Sequence, residues 1–317
     1  MADLALQPHN LCHSVRVAAL AMTANGATST FITSTDGLRL HARCYGRARS
    51  GALPIVCLPG LARTAADFDA LATALAHASD HPRRVIALDY RGRGQSDYDR
   101  DPGNYTLPVE LADVLTVVTA LEAMPAIYVG TSRGGILAML LAAARPTAMS
   151  GVVLNDIGPV IEAKGLMRIK GYVGKLPQPA TYEEGAEVLR RLFDAQFPKL
   201  TAEDWLSSAK RAFKREKDRL VPTYDVALAK TLASIDPERP VPSLWNEFDA
   251  LARLPAMVIH GSNSDILAPS TIEAMRGRHP SLEVVEVSDQ GHAPLLADQE
   301  TIARIGDFAG RCDRPRG

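Results

Sequence analysis

The chain has 317 residues, 35 of them Lys or Arg against 36 Asp or Glu, and 46% of it is apolar. The balanced charge excludes the basic excess that a nucleic-acid binder needs and the acidic tract of a solvating tail. The length exceeds one minimal domain and falls short of two full ones, which suits a large α/β domain carrying an insertion.

Residues 15–24, VRVAALAMTA, are apolar but short. A secretory leader carries a positive start, whereas here Asp3 offsets Arg16. The expectation is a poorly ordered extension over residues 1–28, with Met22 as an alternative start. From residue 29, STFITSTDGLRLHARCY alternates around Asp36-Gly37 and predicts a tight hairpin. PIVCLPG (54–60) and RRVIALDY (83–90) are predicted buried strands, with a helix over 64–78 between them and another over 108–123 after them. AIYVGTS (126–132) is a strand running into a helix that Pro146 ends, and GVVLND (151–156) is the next strand. This alternation predicts a mostly parallel, doubly wound sheet. Residues 157–250 break the rhythm. Helical stretches near 182–196, 202–217 and 224–234 stand between prolines, with no convincing strand. Strands return at 255–262 and 282–289, and a helix over 298–310 closes the chain. The expected organisation is a main domain of 29–156 and 251–317 with a helical cap of 157–250.

The stretch GTSRGG, residues 130–135, carries the chemistry. Ser132 stands between a predicted strand and a predicted helix, where G-x-S-x-G marks a strained turn that exposes a nucleophile. Gly130 and Gly134 leave room where a Cβ would clash. A serine hydroxyl needs a base. His292, in DQGHAPLL after the last strand, is placed at the same sheet edge, whereas His260 lies within a strand and reads as structural. The base needs a carboxylate to orient it. Asp265, in GSNSDILAP, is preferred because it leaves a strand into a loop and gives the order Ser132, Asp265, His292. Asp156, at the end of GVVLND, is the rival. Two N–H donors must face a developing oxyanion. Those of Arg133, after the nucleophile, and Leu61, after Pro59-Gly60, are the candidates.

Five stretches together, LPGLARTAADF, ALDYRGRGQSD, VGTSRGG, HGSNSDILAP and GHAPLL, resemble the α/β-hydrolase-fold serine hydrolases with a helical cap, over roughly residues 29–312. The resemblance implies a covalent acyl-enzyme on Ser132, proton transfer by His292, and no metal or organic cofactor. It also gives ALDYRGRGQSD a scaffold role. Many members carry His-Gly where Pro59-Gly60 stands here, which changes the polarity beside the hole and leaves its backbone donors. Dehalogenases and epoxide hydrolases of this fold use an Asp nucleophile, and position 132 is Ser.

The expected function is hydrolysis of a small carboxylic ester or lactone. The alternatives are carbon–carbon bond hydrolysis of a vinylogous diketone, a cofactor-free perhydrolase, and a ligand-binding receptor of slow turnover. Trp245 and Phe248, three apart and on one helix face, are candidate substrate contacts from the cap, as are Trp205 and Phe213. Arg63 and Arg133 flank the site and could clamp a substrate carboxylate, unless local acids such as Asp67 or Asp89 hold them. The expected partner is a small molecule, with neither nucleic acid nor a membrane span, and the chain is a possible homodimer. Cys12, Cys44, Cys57 and Cys312 are scattered without a C-x-x-C pair, so neither a zinc site nor a disulfide framework is expected and a cytoplasmic setting is.

Overall fold

Strands buried on both faces need apolar side chains at nearly every position, and IVCL, VIALD and AIYVGT supply them. In the computed structural model, which describes residues 17–22, 26–236 and 241–313, they form the centre of a nine-stranded sheet. The strands are β1 (Val17–Met22), β2 (Thr28–Thr33), β3 (Arg39–Tyr45), β4 (Ile55–Leu58), β5 (Val85–Asp89), β6 (Ala126–Thr131), β7 (Met149–Asn155), β10 (Ala256–Gly261) and β11 (Glu283–Val287). Two further strands, β8 (Phe213–Glu216) and β9 (Arg219–Pro222), make a separate hairpin. The sheet runs β1-β2-β3-β5-β4-β6-β7-β10-β11. Pairing is antiparallel from β1 to β5 and parallel across the rest.

The helices are α1 (Asp69–Ala76), α2 (Leu107–Ala120), α3 (Arg133–Ala144), α4 (Ala163–Tyr172), α5 (Tyr182–Phe193), α6 (Ala202–Ala212), α7 (Trp245–Asp249), α8 (Pro269–Arg278) and α9 (Gln299–Cys312). Two apolar clusters sandwich the sheet. Leu137, Leu141, Val114 and Val118 from α3 and α2 pack on one face. Leu71, Leu75, Ile305 and Phe308 from α1 and α9 pack on the other.

Three expectations are corrected. Residues 17–22 are not part of a loose extension. They pair with β2, Val17 opposite Ile32 and Met22 opposite Thr28, because an apolar extended segment satisfies its main chain on an open sheet edge. Residues 1–16 and 23–25 lie outside the described residues. The block between β7 and β10 does contain strands: the expected helix over 202–217 stops at Ala212, and β8 and β9 follow. Lys217, at φ 51°, makes their turn without the Gly or Asn that would have announced it. Helices α4 and α8 were not anticipated either.

The block keeps its own core of Leu189, Phe197, Trp205, Phe213 and Leu220. Thr201 and Asp204 form a reciprocal cap at the start of α6, worth about 1 kcal/mol. The chain is clipped back to the main domain where Gly94 N–H donates to Thr223 O at 2.7 Å and Asp225 N–H to Gly92 O at 2.7 Å.

Candidate active site

The turn from β6 into α3 is possible only with glycine at two places. A Cβ on Gly134 would lie 2.0 Å from Leu58 O, and one on Gly130 would lie 2.5 Å from the Gly134 carbonyl. With that space left open, Ser132 adopts φ 52° and ψ −114°, a backbone conformation costly for a residue with a Cβ. Its N–H donates to Asn155 O at 3.1 Å, which ties the turn to the end of β7.

Ser132 Oγ lies 2.8 Å from His292 Nε2. His292 Nδ1 lies 2.9 Å from Asp156 Oδ2. The carboxylate fixes Nδ1–H, so Nε2 faces the hydroxyl as an acceptor. Asp156 is fully buried and takes two further donors, Gly261 N–H at 3.0 Å and the Ser264 hydroxyl at 2.6 Å. A hydroxyl, an imidazole and a buried, well hydrogen-bonded carboxylate in line can withdraw a proton from the serine and hold the imidazolium that results.

Asp265 does not take the position expected for it. Its two oxygens accept from Arg168 Nε and Nη2, on α4, at 2.7 and 2.8 Å. Partial burial would raise its carboxyl, but these bonds outweigh burial and hold it below the usual carboxylate range. The carboxylate against His292 is that of Asp156, because the side chain leaving β7 reaches the same crevice from the strand next to the one that leads into Ser132. His260 is buried within β10, its Nε2 3.1 Å from Leu267 O, in keeping with a structural part.

The backbone N–H groups of Leu61 and Arg133 have no acceptor among the described residues, and Leu61 and Ser132 both line one cavity. Arg93 supports the Leu61 loop from behind by donating Nε–H to Leu61 O at 2.9 Å. The buried Glu110 carboxylate lies 2.7 Å from Arg93 Nη1 and accepts from Arg133 Nε at 2.5 Å. One buried carboxylate therefore braces both candidate donors. The Arg133 side chain is turned to Glu110 and away from the cavity. Arg63 lines the cavity and holds Asp67 through both carboxylate oxygens, at 2.6 and 2.9 Å.

The cavity is about 150 Å³, roofed by residues of α4, α5 and α6 and by Tyr224. Tyr172, Leu189, Phe193, Phe197 and Trp205 give it apolar walls. Trp245 and Phe248 are not among its residues. They stack edge to face at 5.9 Å, Phe248 is 1% exposed in the main core, and the Arg278 guanidinium lies 4.4 Å from the Trp245 ring centre. Their shared helix face was read correctly, but it packs on the sheet domain. Phe213 is buried in the cap's own core, while Trp205 does reach the cavity.

Sequence reasoning missed Asn155, whose side-chain amide donates to Thr131 Oγ1 at 3.0 Å and to Pro294 O at 2.9 Å. It thereby joins the serine turn to the histidine loop. No local pattern announces such a bridge between residues 139 apart. Among the described residues, no cluster of His, Cys, Asp or Glu suits a metal ion, and no helix is long and apolar enough to cross a membrane.

A model of the alpha/beta hydrolase family matches residues 55–305. The chain is 33% identical to the 3-hydroxybutyrate-oligomer hydrolase of Cupriavidus necator, over 88% of this chain and 96% of that one. It is 26% identical to the sn-1-specific diacylglycerol lipase ABHD11 of Mus musculus, over 75% of this chain and 74% of that one. A crystal structure of an alpha/beta hydrolase from Novosphingobium aromaticivorans superposes with a TM-score of 0.83 at 38% identity, covering 90% of this chain and 98% of that one.

Proposed function

The chain belongs to the alpha/beta hydrolase family, and we propose that it cleaves small carboxylic esters through an acyl-enzyme on Ser132. The observation that carries this reading is the unbroken contact Ser132–His292–Asp156, with Ser132 and His292 lining a small, largely apolar cavity. Ser132 Oγ attacks the ester carbonyl while His292 Nε2 takes its proton. The oxygen that gains charge is received by the N–H groups of Leu61 and Arg133. The C–O bond to the alcohol breaks as His292 returns the proton to the leaving oxygen. Water, activated by the same imidazole, then adds to the acyl-enzyme and releases the acid. Asp156 holds the imidazole in the competent tautomer throughout.

The relatives support ester chemistry. The Cupriavidus protein, similar along nearly its whole length, is named for hydrolysis of 3-hydroxybutyrate oligomers, and the mouse relative for lipase activity. An oligomer of a short hydroxy acid suits a small cavity with largely apolar walls.

The test is hydrolysis of 4-nitrophenyl acetate, butyrate and octanoate, and of the 3-hydroxybutyrate dimer, by wild type and Ser132→Ala. Wild type is expected to favour the shorter nitrophenyl esters. The variant should lose at least about 10⁴-fold in kcat. Equal rates in the two proteins would remove Ser132 as nucleophile, and the reading with it.

A further inference from the structure

The cavity wall beside the nucleophile holds more positive than negative charge. Arg211, from α6 of the cap, lines the cavity together with Arg63 and Asp67. Its Nε lies 3.4 Å from Asp67 Oδ1, while Nη1 and Nη2 donate to the neutral hydroxyls of Ser207 and Ser208 at 2.7 and 3.1 Å. Asp67 is already held through both oxygens by Arg63. Behind them Asp69 also attracts Arg211, but Asp69 takes two bonds from Arg43, at 2.8 and 2.7 Å, and the Tyr45 hydroxyl. Three guanidinium groups thus face two carboxylates. The excess charge sits in a wall whose other members are largely apolar, where it is poorly screened.

A Cβ on Gly60 would lie 3.3 Å from Arg63 Cγ and 3.8 Å from Ser132 Cβ, so Gly60 stands between the Arg63 stem and Ser132, and both line the cavity that Arg211 also lines. Each Nη of Arg211 keeps a second N–H beyond the one given to a serine, so the guanidinium retains charged donors that a carboxylate could accept from. Burial sets Arg211 below the usual arginine pKa, with Asp67 opposing and Arg63 reinforcing it. The group still stays charged at neutral pH.

We propose that the site selects esters carrying a free carboxylate on one arm, and that Arg211 is the specificity-determining residue that receives it. This rests on the ester-hydrolase reading above. The carboxylate completes the charge balance of the Arg63–Asp67–Arg211 cluster while the scissile carbonyl lies at Ser132.

Two matched pairs test it. In one the carboxylate is on the acyl arm, 4-nitrophenyl hemiglutarate against 4-nitrophenyl pentanoate. In the other it is on the alcohol arm, 3-acetoxybutanoate against 3-acetoxybutanamide. Wild type should favour the anionic member of at least one pair by tenfold or more in kcat/KM. Arg211→Gln should cut that ratio at least tenfold, and Arg211→Lys should restore part of it. A wild-type ratio at or below one in both pairs overturns the proposal. So does an Arg211→Gln variant that lowers both members alike, since a mere latch between α6 and the main domain would do that. If no substrate shows Ser132-dependent turnover, the ester reading fails, and calorimetric titration of glutarate then decides the anion site by itself. Binding to Ser132→Ala and none to Ser132→Ala/Arg211→Gln would uphold the site, and no binding to either would remove it.

Discussion

Asp156→Asn against Asp265→Asn separates the two carboxylates near His292 by function. Asp156 accepts three hydrogen bonds, from Gly261 N–H, the Ser264 hydroxyl and His292 Nδ1. In the asparagine variant one oxygen becomes an NH₂. The main-chain N–H of Gly261 cannot turn away, so the amide oxygen stays with it and the NH₂ faces His292. Nδ1 must then accept, the ring proton moves to Nε2, and Ser132 meets a donor where it needs a base. A comparable change of tautomer in a serine protease costs about 10⁴ in kcat, or about 5.4 kcal/mol at 1.36 kcal/mol per tenfold. Asp265→Asn weakens the tie to Arg168, with smaller effects on Gln196 and on the field at His292, but leaves the Asp156–His292 contact in place and should cost less than about threefold. Initial rates on 4-nitrophenyl butyrate, with Ser132→Ala as the floor, measure both. A loss beyond about 10³ for Asp265→Asn with less than tenfold for Asp156→Asn would refute the assignment.

Three further outcomes follow from the same contacts. Glu110→Gln leaves Arg93 and Arg133 without their shared buried carboxylate and should destabilise the protein by about 3–5 kcal/mol in urea unfolding; a loss under about 1 kcal/mol would mean that the brace is idle. Phe248→Ala empties a fully packed core position and should cost about 3–5 kcal/mol while KM for 4-nitrophenyl butyrate stays within about twofold; a tenfold rise in KM would return Phe248 to the substrate pocket. The Arg168–Asp265 pair holds the Asp265 carboxyl below its ordinary value, so its stabilisation is present above pH 3.8 and fades as pH falls through the lower folded value. The gap in unfolding midpoint between wild type and Asp265→Asn should therefore hold from pH 7 to 4 and close below that. A gap closing between pH 7 and 5 would contradict this sign.

Ser132 and His292 were legible because each sits where strand meets loop and each has a residue type with few other uses there. The hairpin at Asp36-Gly37 was legible for a similar reason, since the turn needs Gly37 at φ 91°. The acid was not settled, since Asp156 and Asp265 both leave strands that end at one crevice. Which one reaches the imidazole depends on Arg168, a residue of α4 that takes Asp265 for itself. The pair Trp245 and Phe248 shows the limit of periodicity, which gives a shared face but not what that face meets. Arg211 escaped notice altogether. It looks like any exposed basic residue near the end of an amphipathic helix until the cap folds over Asp67. The edge strand Val17–Met22 was missed because a short apolar run has no meaning without its pairing partner.

Ser132 and Asp156 leave neighbouring strands whose last rung pairs Thr131 with Asn155. The spacing between Ser132 and Asp156 is thus written into the sheet's own register. The roof is fastened in part by Arg168 to the other carboxylate, in a different loop. A lift of α4 that breaks this tie moves neither end of the Ser132–Asp156 span. The tie that holds α4 down is therefore distinct from the register that spaces Ser132 and Asp156, and the inserted block meets the loop of the third partner, His292, at another point, where Gln196 sits so close to Gly291 that a Cβ on Gly291 would lie 2.5 Å from Gln196 Cβ.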